Sequence, residues 1–227
     1  MSEAISREPG PGAFAALLRQ QRVWDVDLPR FDPDAAPAEP TALFHDWFAD
    51  ACAAGQVEPH TMQLATVDAD GGPDVRTLML HGAADGVWHF ASHSGSRKGR
   101  QLAAHPRAAL HFYWAARGRQ IRIRGTVTTA TAAESSADLH ARSTGALAAA
   151  LTGRQSEPLA SLAKLASAST AAWDRARREP DAEVPTWTLY ELAAEEAEFF
   201  QGEAHRQHVR LRYRRAGGRW ERGLLWP

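Results

Sequence analysis

The sequence predicts a mainly β fold with peripheral helices, arranged as an antiparallel sheet or barrel. Two observations carry this. Five short segments, TMQLATV, PDVRTLMLH, GVWHFAS, RAALHFYW and RQIRIRGTV, follow one another between residues 61 and 128. They are β-branched or aromatic, and turn-forming runs such as DADGGP and AADG separate them. Beyond an Ala-, Ser- and Leu-rich stretch, TWTLYEL, AEFFQG, VRLRYRR and GRWERGLL return to strand character, the last two joined across AGG.

Taken in order, residues 1–38 are rich in Pro, Asp and Ala and read as a flexible arm with one short helix near Ala15 to Gln21. Residues 39–227 form the domain proper. It opens with the helix EPTALFHDWFADACAAG, whose Leu43, Phe44, Trp47, Phe48, Ala51 and Cys52 share a face, with Gly55 as its stop. Cys52 is therefore expected to be a packed thiol. After the five strands, residues 131–176 read as a helical insertion of two helices. Ser156 is expected to cap the second, with Leu159, Leu162, Leu165 and Ala166 as its apolar stripe.

Composition excludes several classes of function. Lys and Arg number 26 against 27 Asp and Glu, so bulk basicity gives no case for nucleic acid. One cysteine permits neither an internal disulfide nor a multi-cysteine metal site. The N-terminus lacks a signal-peptide pattern and no run suits a bilayer, so a cytoplasmic protein is expected. Neither a dinucleotide fingerprint nor a P-loop occurs, and no Gly-x-Ser-x-Gly elbow supplies a nucleophile. A bound cofactor would have to carry any chemistry.

SHSGSRKGRQ, residues 92–101, is the most informative stretch. It places Arg97 and Lys98 in the first turn of a helix, the end that already carries partial positive charge. Ser96 can cap that helix, and Gly95 would let the backbone approach a ligand. If 74–81 and 86–92 form a hairpin, Arg76 joins them, and three cations and a serine hydroxyl converge on one phosphate. The competing reading is solvated charge. In RGRQIRIRG, Gln120, Arg122 and Arg124 share one face of a strand and Ile121 and Ile123 the other. Gln120 suits the edge of a heterocycle. In QGEAHRQHVRLRY, an extended chain would point Arg206, His208 and Arg210 the same way, toward an anionic or electron-rich ligand or as a blunted basic edge. His205 and His208 lack a local third metal ligand.

From residue 38 onward the chain resembles the pyridoxine/pyridoxamine 5′-phosphate oxidase family. LFHDWFADA, ATVDADGGPDVRTLML, FASHSGSRKGRQLAAHPRAAL, RQIRIRG, GRQSE and FFQGEAHRQHVRLRY carry the resemblance, in that order. It implies a six-stranded split β-barrel, a homodimer, and FMN at the dimer interface. It further implies that Arg76, Ser92, Arg97 and Lys98 hold the flavin phosphate, with Thr77, Leu78 and His81 in the same motif. Gln120 would meet the flavin ring, Gln155 and Ser156 match the family's Q-S pair, and Arg210 matches a cofactor-binding arginine. Phe200 stands where tryptophan is usual, and Ala91 replaces a tyrosine.

On the substrate side, the family grips its vitamer phosphate with a lysine, a tyrosine, an arginine and a serine. Here those positions hold His81, Asp138, Arg142 and Ala146. Arg206 and His208 match the residues over the reacting carbon and are the catalytic candidates. The resemblance therefore implies an FMN oxidase that passes hydride from a small reduced heterocycle to flavin and on to dioxygen, in the branch that oxidises phenazine precursors. Arg142 would pair with a substrate carboxylate. The alternatives are an authentic pyridoxine phosphate oxidase and a flavin-binding protein without turnover.

Overall fold

The computed structural model describes residues 11–24, 26 and 28–227. Its frame is one antiparallel sheet of nine strands: β1 (Thr61–Val67), β2 (Pro73–Met79), β3 (Gly82–Ala84), β4 (Val87–His93), β5 (Arg107–Trp114), β6 (Arg119–Thr129), β7 (Trp187–Gln201), β8 (Val209–Ala216) and β9 (Arg219–Leu225). The strand order is β2-β1-β5-β6-β7-β4-β3, with the β8–β9 hairpin added to β7. The six strands from β2 to β4 in that order make the curled half-barrel expected from the sequence. TWTLYEL and AEFFQG, expected as two strands, are the one strand β7. Its start pairs with β4 and its end with β8, while β6 lies along most of its length. The long strand bends where the β6 register shifts at Arg124/Gly125. Only glycine fits there, since a Cβ on Gly125 would lie 1.9 Å from the Ala193 carbonyl oxygen.

Six α-helices occur among the described residues: α1 (Pro11–Gln20), α2 (Pro40–Ala53), α3 (Arg97–Ala104), α4 (Ala132–His140), α5 (Thr144–Thr152) and α6 (Leu162–Arg178). α2 buries Leu43, Phe44, Trp47 and Ala51 against the sheet. There they meet Trp88, Phe112, Trp114 and Phe199 in ring contacts of 5.1–6.1 Å. Cys52 is exposed, not packed. It lies one residue, about 100° of helical turn, past Ala51 and so off the buried face. Within the residues expected to form an arm, Phe31 stacks edge-on against Trp47 at 5.0 Å. Tyr213 donates its hydroxyl to the Pro37 carbonyl at 2.7 Å, which ties this segment to β8.

The helical insertion departs from its reading. It holds three helices, because Ser143 starts a new one after the turn that ends α4. Ser161, not Ser156, caps the last, accepting from Lys164 N–H. Ser156 sits at φ 75°, outside helical geometry. The expected stripe is not buried in the chain: Leu159, Leu162 and Leu165 are 52%, 79% and 44% exposed. The hairpin expected between 74–81 and 86–92 is also absent. β2 pairs with β1, and β4 takes the short β3 as its hairpin partner. None of the helices among the described residues is long and apolar enough to cross a membrane.

Candidate active site

The start of α3 is a cationic cradle. Ser96 Oγ caps the helix by accepting from Gly99 N–H at 3.2 Å. Lys98 is only 6% exposed. Its Nζ donates to Ser92 Oγ at 3.1 Å and to Gln155 Oε1 at 2.9 Å. Ser156 Oγ accepts from Arg97 N–H at 3.1 Å, so the Gln155–Ser156 pair closes over the helix start. Arg76 arrives through the β1 pairing, donating to Thr66 Oγ1 at 2.6 Å and to Gln101 Oε1 at 3.1 Å. Asp74 is shared by Arg76 at 2.7 Å and Arg97 at 3.1 Å.

Three cations thus face Asp74 and, at 3.9 Å from Arg97, Asp68, and Lys98 contacts neither directly. Burial, then the Arg76 charge, lowers the Lys98 pKa from 10.5 to about 8. Gly99 is a residue that sequence reasoning missed. A Cβ there would lie 2.2 Å from the Ser94 carbonyl oxygen, whereas Gly95 has open space. The tight approach is helix against preceding turn, and only the register of the cap reveals it.

The cradle opens into a cleft of about 1050 Å³ between the sheet and α5–α6. Thr77, Leu78, His81, Ala91, Ser92, Arg142, Ala146, Gln155 and Trp187 are among its lining residues. At one end His81, Asp138, Arg142 and Trp187 interlock. Asp138 accepts from His81 Nδ1 at 3.0 Å and from Arg142 Nη2 at 2.8 Å. Trp187 Nε1 donates to the same carboxylate at 3.3 Å. The His81 and Asp138 side chains are 5% and 11% exposed. Burial pushes the Asp138 pKa up, but the hydrogen bonds and charges of His81 and Arg142 together outweigh it, and the group lies well below the usual carboxylate range. Arg142, which also lines the cleft, is thus paired with Asp138 within the chain.

The remaining candidates lie elsewhere on the same chain. Gln120, Phe200 and Arg210 line a second, smaller cleft with His111, Arg122 and Glu198. Arg210 is paired with Glu198 at 2.8 Å and donates to the Trp226 carbonyl at 2.7 Å. Phe200 stacks near His208 at 5.2 Å. Arg206 and His208 do not form an extended row with Arg210. They belong to the turn before β8, where Arg206 has φ 67°. Glu203 N–H donates to His208 Nδ1 at 3.0 Å, so a neutral His208 carries its proton on Nε2. Trp24, unremarked in the sequence, packs edge-on against His208 at 4.8 Å, and Arg206 lies 5.6 Å from the same ring.

Residues 48–183 match the pyridoxamine 5′-phosphate oxidase family, and residues 187–227 match the pyridoxine 5′-phosphate oxidase C-terminal dimerisation region. The chain belongs to the pyridoxamine 5′-phosphate oxidase family. It is 41% identical over 209 residues to the pyridoxine/pyridoxamine 5′-phosphate oxidase of Thermosynechococcus vestitus, covering 92% of this chain and 95% of that one. The oxidase of the same name from Rubrobacter xylanophilus is 38% identical over 194 residues, 86% of this chain and 89% of its own. Among solved structures, PhzG from Burkholderia lata 383, in complex with tetrahydrophenazine-1-carboxylic acid, superposes with TM-score 0.81 at 31% identity. That match covers 89% of this chain and 99% of PhzG.

As a pyridoxamine 5′-phosphate oxidase family member, the chain is an FMN-dependent oxidoreductase. The cradle fits the flavin's phosphate on its own chemistry. It offers a buried lysine without a direct carboxylate partner, two arginines sharing one aspartate, and a capped helix N-terminus.

Proposed function

We propose that this family member oxidises a reduced, non-phosphorylated nitrogen heterocycle of the phenazine-precursor type, with FMN as cofactor and dioxygen as final acceptor. The observation that carries this reading is Asp138. It stands where the family's phosphate-binding tyrosine stands, and its carboxylate already neutralises Arg142. A phosphate entering there finds the retained cation already paired. His81 and Ala146 remove two further ligands, each charge-assisted bond being worth about 1.5–3 kcal/mol. The similarity to PhzG, solved with a tetrahydrophenazine carboxylic acid, supports the same reading.

In this account Arg76, Ser92, Arg97 and Lys98 hold the flavin phosphate, with Gln155 and Ser156 closing over it and Thr77 and Leu78 along the cleft. Gln120, Phe200 and Arg210 of a second copy complete the ring site, because within one chain they line a different cleft. Two copies then form two equivalent sites, as the dimerisation region suggests. FMN, once bound, supplies the hydride acceptor that dioxygen reoxidises with release of hydrogen peroxide. Arg206 provides a charge for a substrate carboxylate, and His208 donates from Nε2. The apolar cleft wall around Ala146, Ala149 and Leu165 excludes water from a flat substrate.

The second reading is an authentic pyridoxine/pyridoxamine 5′-phosphate oxidase, which the 41% identity to curated enzymes of that name favours. Restoring the family ligands separates the two. The triple variant His81→Lys, Asp138→Tyr, Ala146→Ser is expected to bind pyridoxal 5′-phosphate at least tenfold more tightly than the wild type, as followed by its absorbance. Equal affinity in both proteins would mean that the native pocket already accepts phosphate.

A further inference from the structure

The residues that stand at the family's substrate-phosphate positions are not inert. Asp138 is ionised, and an ionised carboxylate only accepts hydrogen bonds. His81 approaches it through Nδ1, at 3.0 Å to one oxygen and 3.1 Å to the other. Nδ1 must therefore carry the proton. In a neutral imidazole this leaves Nε2 as a bare lone pair. Nε2 has no partner among the described residues, and His81 lines the large cleft. Arg142 and Trp187 donate to the same carboxylate, so three groups with His81 fix its orientation. The arrangement reverses the hydrogen-bonding sense of the position. The family's lysine can only donate, whereas Nε2 of this tautomer can only accept.

Resting on the reading above, we propose that His81, oriented by Asp138, selects a substrate that points an N–H or O–H group at Nε2. His81 is then a specificity residue and Asp138 its positioning residue. A reduced nitrogen heterocycle, which carries ring N–H groups, satisfies this acceptor. A phosphate dianion, which has no proton to give, leaves it unpaired beside a carboxylate.

Two measurements test this. The first needs no substrate. A long-range ¹H–¹⁵N spectrum of the protein at neutral pH should show His81 protonated on Nδ1 alone, and Asp138→Asn should shift the tautomer toward Nε2–H. Finding Nε2 protonated in the wild type, as the other tautomer or as imidazolium, overturns the proposal. The second measures binding by calorimetry to the FMN-loaded protein. The probes are carbazole-1-carboxylic acid, a flat N–H donor that gives up no hydride, and its N-methyl derivative. The wild type should prefer the N–H probe by about tenfold, the worth of roughly one hydrogen bond. His81→Ala should abolish the preference while retaining flavin. The same preference in the variant, or none in the wild type, overturns the assignment. Efficient turnover of pyridoxine 5′-phosphate would instead sink the functional reading, while the tautomer spectrum would still judge the dyad.

Discussion

Lys98 and Asp138 depart from their ordinary ionisation in ways that make separate predictions. Lys98 has its pKa lowered from 10.5 to about 8 in the cofactor-free protein, because burial and Arg76 both disfavour its charge. Between those values the unfolded chain binds the extra proton, so the flavin-free protein should gain stability as pH rises from about 8 to 10.5. In the proposed site, flavin phosphate reverses the balance by favouring charged Lys98. FMN affinity should therefore fall as pH rises above about 8, by up to about tenfold per unit. Lys98→Met should bind FMN weakly with a flat profile over that range, which flavin fluorescence titrations will read. Asp138, whose pKa is also lowered, has a linkage of the same sign in the acid range. Its stabilisation is present above the ordinary carboxylate pKa and is lost only as pH falls through its lowered value. Asp138→Ala leaves Arg142, His81 and Trp187 Nε1 without their acceptor and should cost about 1–3 kcal/mol in urea unfolding at neutral pH.

At the scale of elements, the proposed flavin site rests chiefly on the start of α3. Gly99→Ala should distort the cap, since its Cβ would meet the Ser94 and His93 carbonyl oxygens at 2.2 and 2.7 Å. The expected result is loss of bound flavin with the fold retained by circular dichroism. Ser96→Ala should cost about 1 kcal/mol as an ordinary cap loss. Much of this element was legible in the sequence. SHSGSRKGRQ showed the cap and the cations, because both lie within ten residues. The strands were legible for the same reason, as alternation is local. What stayed hidden depends on long-range register. His81 meets Asp138 across 57 residues, and no spacing rule reports that contact. Arg76 reaches the cradle through β1 instead of the expected hairpin, a choice made by sheet pairing. Ser156 carries the residue type of a cap but serves Arg97 N–H from a non-helical turn. Trp24 lies in a Pro- and Asp-rich stretch whose composition conceals its packing against His208.

For the whole molecule, the account depends on two half-sites that one chain keeps in separate clefts. Complementation tests this. Lys98→Met and Arg210→Met proteins should each hold little flavin alone. When they are refolded together, one site of each mixed dimer is intact, and about a quarter of all sites should recover flavin. No recovery would mean that each site is built from a single chain.

The measurement that bears most directly on the central claim is peroxide release by the wild-type, FMN-loaded protein. Tetrahydrophenazine-1-carboxylic acid and pyridoxine 5′-phosphate are compared under the same conditions. The Asp138-neutralised pocket predicts a kcat/KM at least about a hundredfold higher for the phenazine precursor, since two lost ligands worth about 1.5–3 kcal/mol each together exceed about 2.7 kcal/mol. Rapid turnover of pyridoxine 5′-phosphate at low KM, matching or exceeding the precursor, would contradict it.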